Sequence, residues 1–365
     1  MSKPEGAFRE MNKGWTHKKA ESADSPEAAV HQVPWIEAQA WCNFVLMEPK
    51  VLPKGTSIEN AGARPEAPPR RDDKDGPYPT WTKSNRCAFR FEIAGEGRRM
   101  RIKEFLYDWA PPAFDHPCLW LSRTQAFQIG DDMGWLGIDF KKLPGASSTL
   151  DRTSIEMSVL EGNFTADEIQ ALYRSLEPVD AGAREQILRT PLADLSYQSR
   201  HREPAIAVPV GYWAHKRKPP EVVSFSFRAE DAPRGLPAEN IVPPASYGYR
   251  LDSVFVYGDL QQPQEVDFAY EQNGRPGHYL RVLASPSTAD NGIQYPPKLD
   301  RQPCSSEVLN TGGQDVYYAF HEREKFGPHE AVFQKDGLNV MLIVKPSPQT
   351  DRAWFIKLLE QMISG

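Results

Sequence analysis

The sequence lacks the motifs that mark the common nucleotide, hydrolase and redox sites. It contains no G-x-G-x-x-G run, no G-x-x-x-x-G-K-[ST] run and no G-x-S-x-G elbow. It has few cysteines, and none of them form a C-x-x-C pair, so neither a zinc ribbon nor a thioredoxin-like motif is indicated. They are Cys42, Cys87, Cys118 and Cys304. We therefore expect reduced thiols, no cofactor and no bound metal.

Long apolar runs and an excess of basic charge are also missing. No run approaches the ~20 apolar residues that a membrane-spanning helix needs, so no membrane partner is expected. Lys and Arg number 43 against 49 Asp and Glu, for a formal net charge of −6. This balance argues against nucleic acid as a partner, because phosphate contacts need a basic surface. The polar start of the chain, Met1-Ser2-Lys3-Pro4, has no apolar signal core and favours a cytoplasmic location.

Proline is abundant and predicts a loop-rich, mostly β fold. The chain has 33 prolines in 365 residues, nearly double the usual share of ~5 %. Proline removes a backbone donor and interrupts helices and central strands. Residues 1–33 are polar and aperiodic and are predicted to form an N-terminal arm. Residues 48–85 hold seven prolines and are predicted to form a long irregular excursion.

Alternating apolar residues predict strands, and two helical stripes interrupt them. Phe89, Phe91 and Ile93 alternate with polar residues, and Gly95-Glu96-Gly97 supplies a turn into a partner strand. The pair Thr165 and Glu168 forms a capping box before a helix at about 165–177. A second helix is predicted at about 351–363. Further strands are predicted at 118–129, 133–141, 154–160, 222–227, 254–257, 266–271, 279–283, 316–320, 331–334 and 339–344.

The two halves follow the same order and suggest an internal duplication. Phe89-Arg90-Phe91-Glu92 resembles Phe268-Ala269-Tyr270-Glu271 at an offset of 179, and Arg101-Ile102 resembles Arg281-Val282 at 180. The alternative is that the two segments are similar only because alternation and a glycine turn are common to β-hairpins. We predict an α+β fold of two similar β-rich halves, mostly antiparallel, each closed by one C-terminal helix. The domains would be 34–180 and 207–365, with 181–206 as a linker.

The stretch 108–118 is the first candidate site. It joins two predicted strands, is stiffened by three prolines, and holds Asp108, Trp109, Asp115 and His116. A carboxylate beside an imidazole could act as a general base. The alternatives are a binding surface, or a rigid loop whose aromatic residues pack onto the core.

The stretch 321–330 is the second candidate site. It holds His321, Glu322, His329 and Glu330. If the flanking strands pair, the two imidazoles could face each other and suit a divalent metal with a carboxylate. The alternative, which we prefer, is a charged hairpin end without a metal.

A basic ladder occupies the second strand of the first hairpin. Arg99, Arg101 and Lys103 fall on one face of the strand, and they could hold phosphate or pair with Glu92 and Glu104 across the sheet. We prefer the pairing.

Two functions remain open at the level of sequence. The preferred one is a non-catalytic protein-binding or assembly protein that acts through its arm, its proline-rich loops and exposed aromatic residues. The alternative is an enzyme or small-ligand binder with a site in the cleft between the two halves.

Overall fold

The computed structural model describes residues 34–40, 42–65, 87–107, 121–139, 143–195, 205–207, 222–289, 292–297, 305–320, 329–345 and 347–364. They divide into two compact units: unit 1 holds the described residues up to Thr190, and unit 2 holds those from Pro191 onward. Both units are built on antiparallel sheets with few helices. The prediction of a mostly antiparallel α+β fold is therefore confirmed. The predicted arm, 1–33, lies outside the described residues.

Unit 1 is a seven-stranded sheet with a small two-stranded sheet and three helices. The strand order of the large sheet is β2-β3-β4-β8-β7-β6-β5, and β1 pairs with β9. The elements are α1 Trp35–Gln39, β1 Met47–Pro49, β2 Ser57–Pro65, β3 Cys87–Gly95, β4 Arg98–Leu106, β5 Leu121–Ile129, β6 Asp132–Asp139, β7 Pro144–Leu150, β8 Thr153–Glu161, α2 Ala166–Arg174, β9 Leu176–Pro178 and α3 Ala181–Arg189.

The β3–β4 hairpin follows directly from its sequence. Gly95 pairs with Arg98, which leaves a two-residue loop of Glu96 and Gly97. Both loop residues have positive φ, 51° and 73°, as the turns that match strand twist require. Alternation then places Phe89 and Phe91 on the core face, where both are buried.

The capping box predicts the start of α2 correctly. The Thr165 side chain accepts from the Glu168 amide at 3.2 Å, and the Glu168 carboxylate accepts from the Thr165 amide at 2.8 Å. These bonds satisfy amides that a helix start leaves without partners. The helix then buries Ile169, Leu172 and Tyr173, the apolar stripe expected from the 3.6-residue period.

Unit 2 is built on a nine-stranded sheet, and a helix ends its described part. The strand order is β10-β11-β12-β13-β14-β18-β17-β16-β15. The elements are α4 Leu192–Leu195, β10 Ala205–Ala207, β11 Val222–Arg228, β12 Tyr249–Gly258, β13 Pro263–Gln272, β14 Tyr279–Pro286, β15 Ser305–Thr311, β16 Gln314–Phe320, β17 His329–Lys335, β18 Leu338–Val344 and α5 Arg352–Ser364. The stretch 181–206, predicted as a linker, contains α3 and α4. The stretch 48–85, predicted as an irregular excursion, contains the nine-residue strand β2, which pairs with β3.

The sheet of unit 2 is buried on both faces. Its helix face packs against α5, and the core there includes Phe268, Phe333 and Leu342. A second, smaller cluster on the opposite face, called the outer face, includes Leu283 and Met341. Because both faces are covered, β18 is apolar at consecutive positions rather than alternating.

The seven strands β12 to β18 are arranged in the same order as β2 to β8. The order β12-β13-β14-β18-β17-β16-β15 repeats β2-β3-β4-β8-β7-β6-β5, and a helix follows β8 and β18. The arginine match does not follow this alignment. Arg101 lies opposite Glu92, whereas Arg281 lies opposite Ala269.

In the described part of the chain, no helix is long and apolar enough to cross a bilayer.

Candidate functional site

Most of the residues predicted for a site fall outside the described residues. These are Asp108, Trp109, Asp115, His116, His321 and Glu322. His329 and Glu330, at the start of β17, are described, and both are almost completely buried. The structure therefore places only this pair.

His329 lies in the core on the helix face of unit 2. Its ring packs against two aromatic rings, with its centroid 6.0 Å from that of Tyr318 and 5.1 Å from that of Phe355, and those two rings lie 5.4 Å from each other. Tyr318 Oη lies 2.7 Å from Nδ1, and the Thr350 carbonyl oxygen lies 2.7 Å from Nε2. A carbonyl only accepts, so Nε2 carries the proton and Nδ1 of the neutral ring accepts from the tyrosine hydroxyl. Both ring nitrogens are thus engaged within the fold.

The surroundings of His329 favour the neutral ring. Burial lowers the pKa of His329 to about 4, and the positive charge of Arg352 acts in the same direction. The Thr350 carbonyl and the Asp351 carboxylate act in the opposite direction but do not outweigh burial. At neutral pH the residue is therefore an uncharged bridge between the sheet and the start of α5.

Glu330 points away from His329. Adjacent residues of a strand face opposite sides of the sheet, so the carboxylate of Glu330 lies on the outer face. It lies opposite Ala319 on β16 and opposite Ile343 on β18. The two predicted ligands therefore cannot hold one metal together. Among the described residues there is no group of three or more His, Cys, Asp or Glu side chains placed to hold a metal.

The outer face of unit 2 contains an ion pair that sequence reasoning missed. The Arg281 guanidinium donates from Nε to Asp267 Oδ1 at 2.9 Å and from Nη2 to Asp267 Oδ2. The carboxylate is 1 % exposed, and the guanidinium carbon lies 5.3 Å from the centroid of the Phe255 ring. Two parallel hydrogen bonds and an aromatic face fix the arginine. This ion pair links β13 to β14 on the covered outer face.

Side-chain hydrogen bonds anchor short segments over the two ends of this outer face. At one end, Asp252 and Ser253 accept from the first amides of α4, those of Leu192 at 2.7 Å and Ala193 at 2.8 Å. At the other end, Ser285 accepts from the amide of Ile293 at 2.7 Å. These polar side chains therefore anchor the segments that cover the outer face.

Unit 1 contains a carboxyl group in its core. Glu104 is fully buried, and its Oε2 accepts from the Met47 amide at 2.9 Å. Its Oε1 has no hydrogen-bond partner within the described chain. Burial raises the pKa of Glu104 well above its ordinary value, and the Met47 amide offsets this only in part. The burial of Glu104 therefore favours its protonated, uncharged form.

The basic ladder pairs with one of its two predicted partners. On the opposite face from Glu104, the Glu92 carboxylate accepts from Arg99 at 3.0 Å and from Arg101 at 2.7 Å. The predicted pairing of Glu92 with the ladder is therefore confirmed at Arg99 and Arg101. Glu104 follows Lys103 by one position, so the two side chains lie on opposite faces, and the predicted pairing of Glu104 is wrong.

β15 forms one edge of the unit 2 sheet. It pairs with β16 along all seven of its residues, and no described strand pairs with its other edge. Val308, in the middle of β15, is 50 % exposed. The exposed large apolar side chains of the described chain are aliphatic. They are Ile36, Val51, Val223, Val242 and Val308.

Comparison with known proteins adds no relative to this description. No protein-family model matches the chain. A search of curated proteins also finds no match.

Proposed function

We propose that the chain is a non-catalytic protein-binding or assembly protein. The observation that carries the proposal is the edge strand β15, which has a partner strand on one side only among the described residues. Such an edge presents backbone N–H and C=O groups that an extended segment of another protein can pair with. The half-exposed Val308 would give that pairing an apolar contact.

The buried polar groups support a structural rather than a catalytic role. His329 directs both ring nitrogens to Tyr318 and Thr350, and Arg281 is held by Asp267. The hydrogen bonds of these side chains go to partners within the fold. An enzyme or small-ligand binder remains the alternative prediction from the sequence.

The proline-rich segments and the arm extend the proposed contact surface. Ordering such segments costs conformational entropy, which contacts with a partner offset. Because the net charge of the chain is −6, we propose that its partner is a protein rather than a nucleic acid. We propose that the two bind in the cytoplasm.

We further infer that the two units descend from a duplicated sheet-plus-helix unit. The inference is supported by the common order of seven strands and the helix after β8 and after β18. The different positions of Arg101 and Arg281 relative to their partner strands count against a match at single residues. If the inference holds, unit 2 has added β10 and β11 to the common set.

Site-specific photo-crosslinking tests the proposed edge. A photoreactive amino acid at Val308 should yield a covalent adduct to a protein in the native cell. The same amino acid at Val51, 52 % exposed on unit 1, is the matched control and should not. Deleting residues 1–33 should reduce the adduct without unfolding the rest. Equal adducts at both positions, or none at Val308, would contradict the proposal.

A further inference from the structure

The turn before α5 is bound to the sheet of unit 2 by His329. α5 buries Phe355, Leu358, Leu359 and Met362 against the helix face. The turn before it is closed by Ser347, whose amide donates to Thr350 Oγ1 at 2.9 Å. Asp351 Oδ1 then accepts from the Trp354 amide at 2.8 Å. His329 binds the carbonyl of Thr350 within this turn.

We propose that His329 is the sensor of an acid-sensitive switch that releases α5 from the sheet of unit 2. The site is selective for the neutral ring because Tyr318 Oη donates to Nδ1. A second proton on Nδ1 would reverse this hydrogen bond and place a charge without a carboxylate partner in the core, where the side chain is 1 % exposed. Release of α5 opens the ring to water and removes that cost.

The charged and titratable groups around His329 come from three elements. Asp351 and Arg352 lie at the start of α5, and they have opposite effects on the imidazolium. The Arg352 guanidinium lies 5.8 Å from the Tyr318 ring centroid and forms an ion pair with Glu307 of β15. From β16, Tyr318 contributes a hydroxyl whose pKa burial raises, so it stays neutral. None of these groups supplies a direct carboxylate partner for the imidazolium.

Release of α5 would expose apolar residues of the helix face, among them Val316, Ala331 and Phe333. An opened unit 2 would therefore present a new apolar surface in acid. This inference does not depend on the proposed protein-binding function.

The size of the response follows from proton linkage. In the closed form the pKa is about 4, whereas an exposed histidine has the ordinary value of about 6.5. The opening constant should therefore rise up to tenfold per pH unit within this interval, and by about tenfold between pH 6.5 and pH 5.

Hydrogen exchange of the full chain, corrected for the intrinsic exchange rate at each pH, measures this opening. Protection of the α5 amides should fall about tenfold between pH 6.5 and pH 5, while amides of β13 keep theirs. His329→Phe keeps a stacked ring but cannot titrate, so its α5 protection should change less than about twofold. His278→Gln, at another buried histidine of unit 2, is the control and should behave as wild type.

Three results would overturn the switch. The first is α5 protection that does not change with pH in the wild-type chain. The second is an equal loss of protection in α5 and β13, which would mean that unit 2 unfolds as a whole. The third is the same pH response in His329→Phe. Should that variant fail to fold, the comparison of α5 with β13 in the wild-type chain still decides.

Discussion

The buried carboxyl of Glu104 should make unit 1 less stable as pH rises above about 4.5. Its folded-state pKa is raised by burial, while in the unfolded chain it is ordinary. Between these two values the unfolded chain has lost the proton and the folded chain has kept it. Stability then falls with rising pH by up to about 1.4 kcal/mol per pH unit for as long as the folded carboxyl stays protonated.

Glu104→Gln should remove this pH dependence. Glutamine keeps an oxygen that can accept from the Met47 amide, but it does not ionise. The variant should match wild type near pH 4.5 and become progressively more stable than wild type toward neutral pH. Urea unfolding read by hydrogen exchange of β4 and β8 would follow unit 1 separately. Parallel pH curves for wild type and variant would refute the reasoning.

Glu92 is the matched control on the opposite face of the same sheet. Burial raises its pKa, but hydrogen bonds from Arg101 and Asn60 and the charge of Arg101 outweigh burial, so its pKa is lowered. Its contribution to stability is present above the ordinary pKa and is lost as pH falls. Glu92→Gln should therefore be less stable than wild type at neutral pH and approach it in acid, the reverse of the Glu104 variant. Effects of the same sign would show that pH acts through other groups.

Three further variants test packing, capping and the buried ion pair, each by urea unfolding. Phe268→Ala should cost about 3–5 kcal/mol, because the side chain is 3 % exposed in the core of unit 2; a cost near zero would refute the packing. Thr165→Ala should cost ~1 kcal/mol by removing the cap shared with Glu168, and no loss would mean that the cap is dispensable. Asp267→Ala should cost about 3–5 kcal/mol because it leaves Arg281 buried without its carboxylate; a neutral effect would mean that the guanidinium finds water.

The parts of the fold that sequence predicts are those with strong local signals. The β3–β4 hairpin has alternation and a two-residue glycine turn, and α2 has its capping box. β7 and β15 were missed because their sequences, P-G-A-S-S-T-L and S-S-E-V-L-N-T, contain mostly small or polar residues. Each has the partners that define it: β7 pairs with β6 and β8, and β15 with β16. Tertiary pairing overrides local propensity at such strands.

The buried polar groups were harder to predict than the strands. Asp267 and Arg281 alternate with core residues, so the sequence suggests that both face water. They are buried because the outer face is covered as well. His329 was predicted at a charged hairpin end, yet its ring packs against Tyr318 and Phe355 in the core. Which side of a strand start faces the core depends on register, which short motifs do not give.

The pairing of β1 with β9 has a consequence for how unit 1 is made. Phe44, Val45 and Leu46 are fully buried, and the Leu46 carbonyl accepts from the Val179 amide at 2.9 Å. A nascent chain that has not yet produced residues 176–179 therefore cannot close this part of the unit. The apolar segment 44–47 leaves the ribosome more than a hundred residues before its partner segment 176–179, which makes it a natural contact for chaperones during translation.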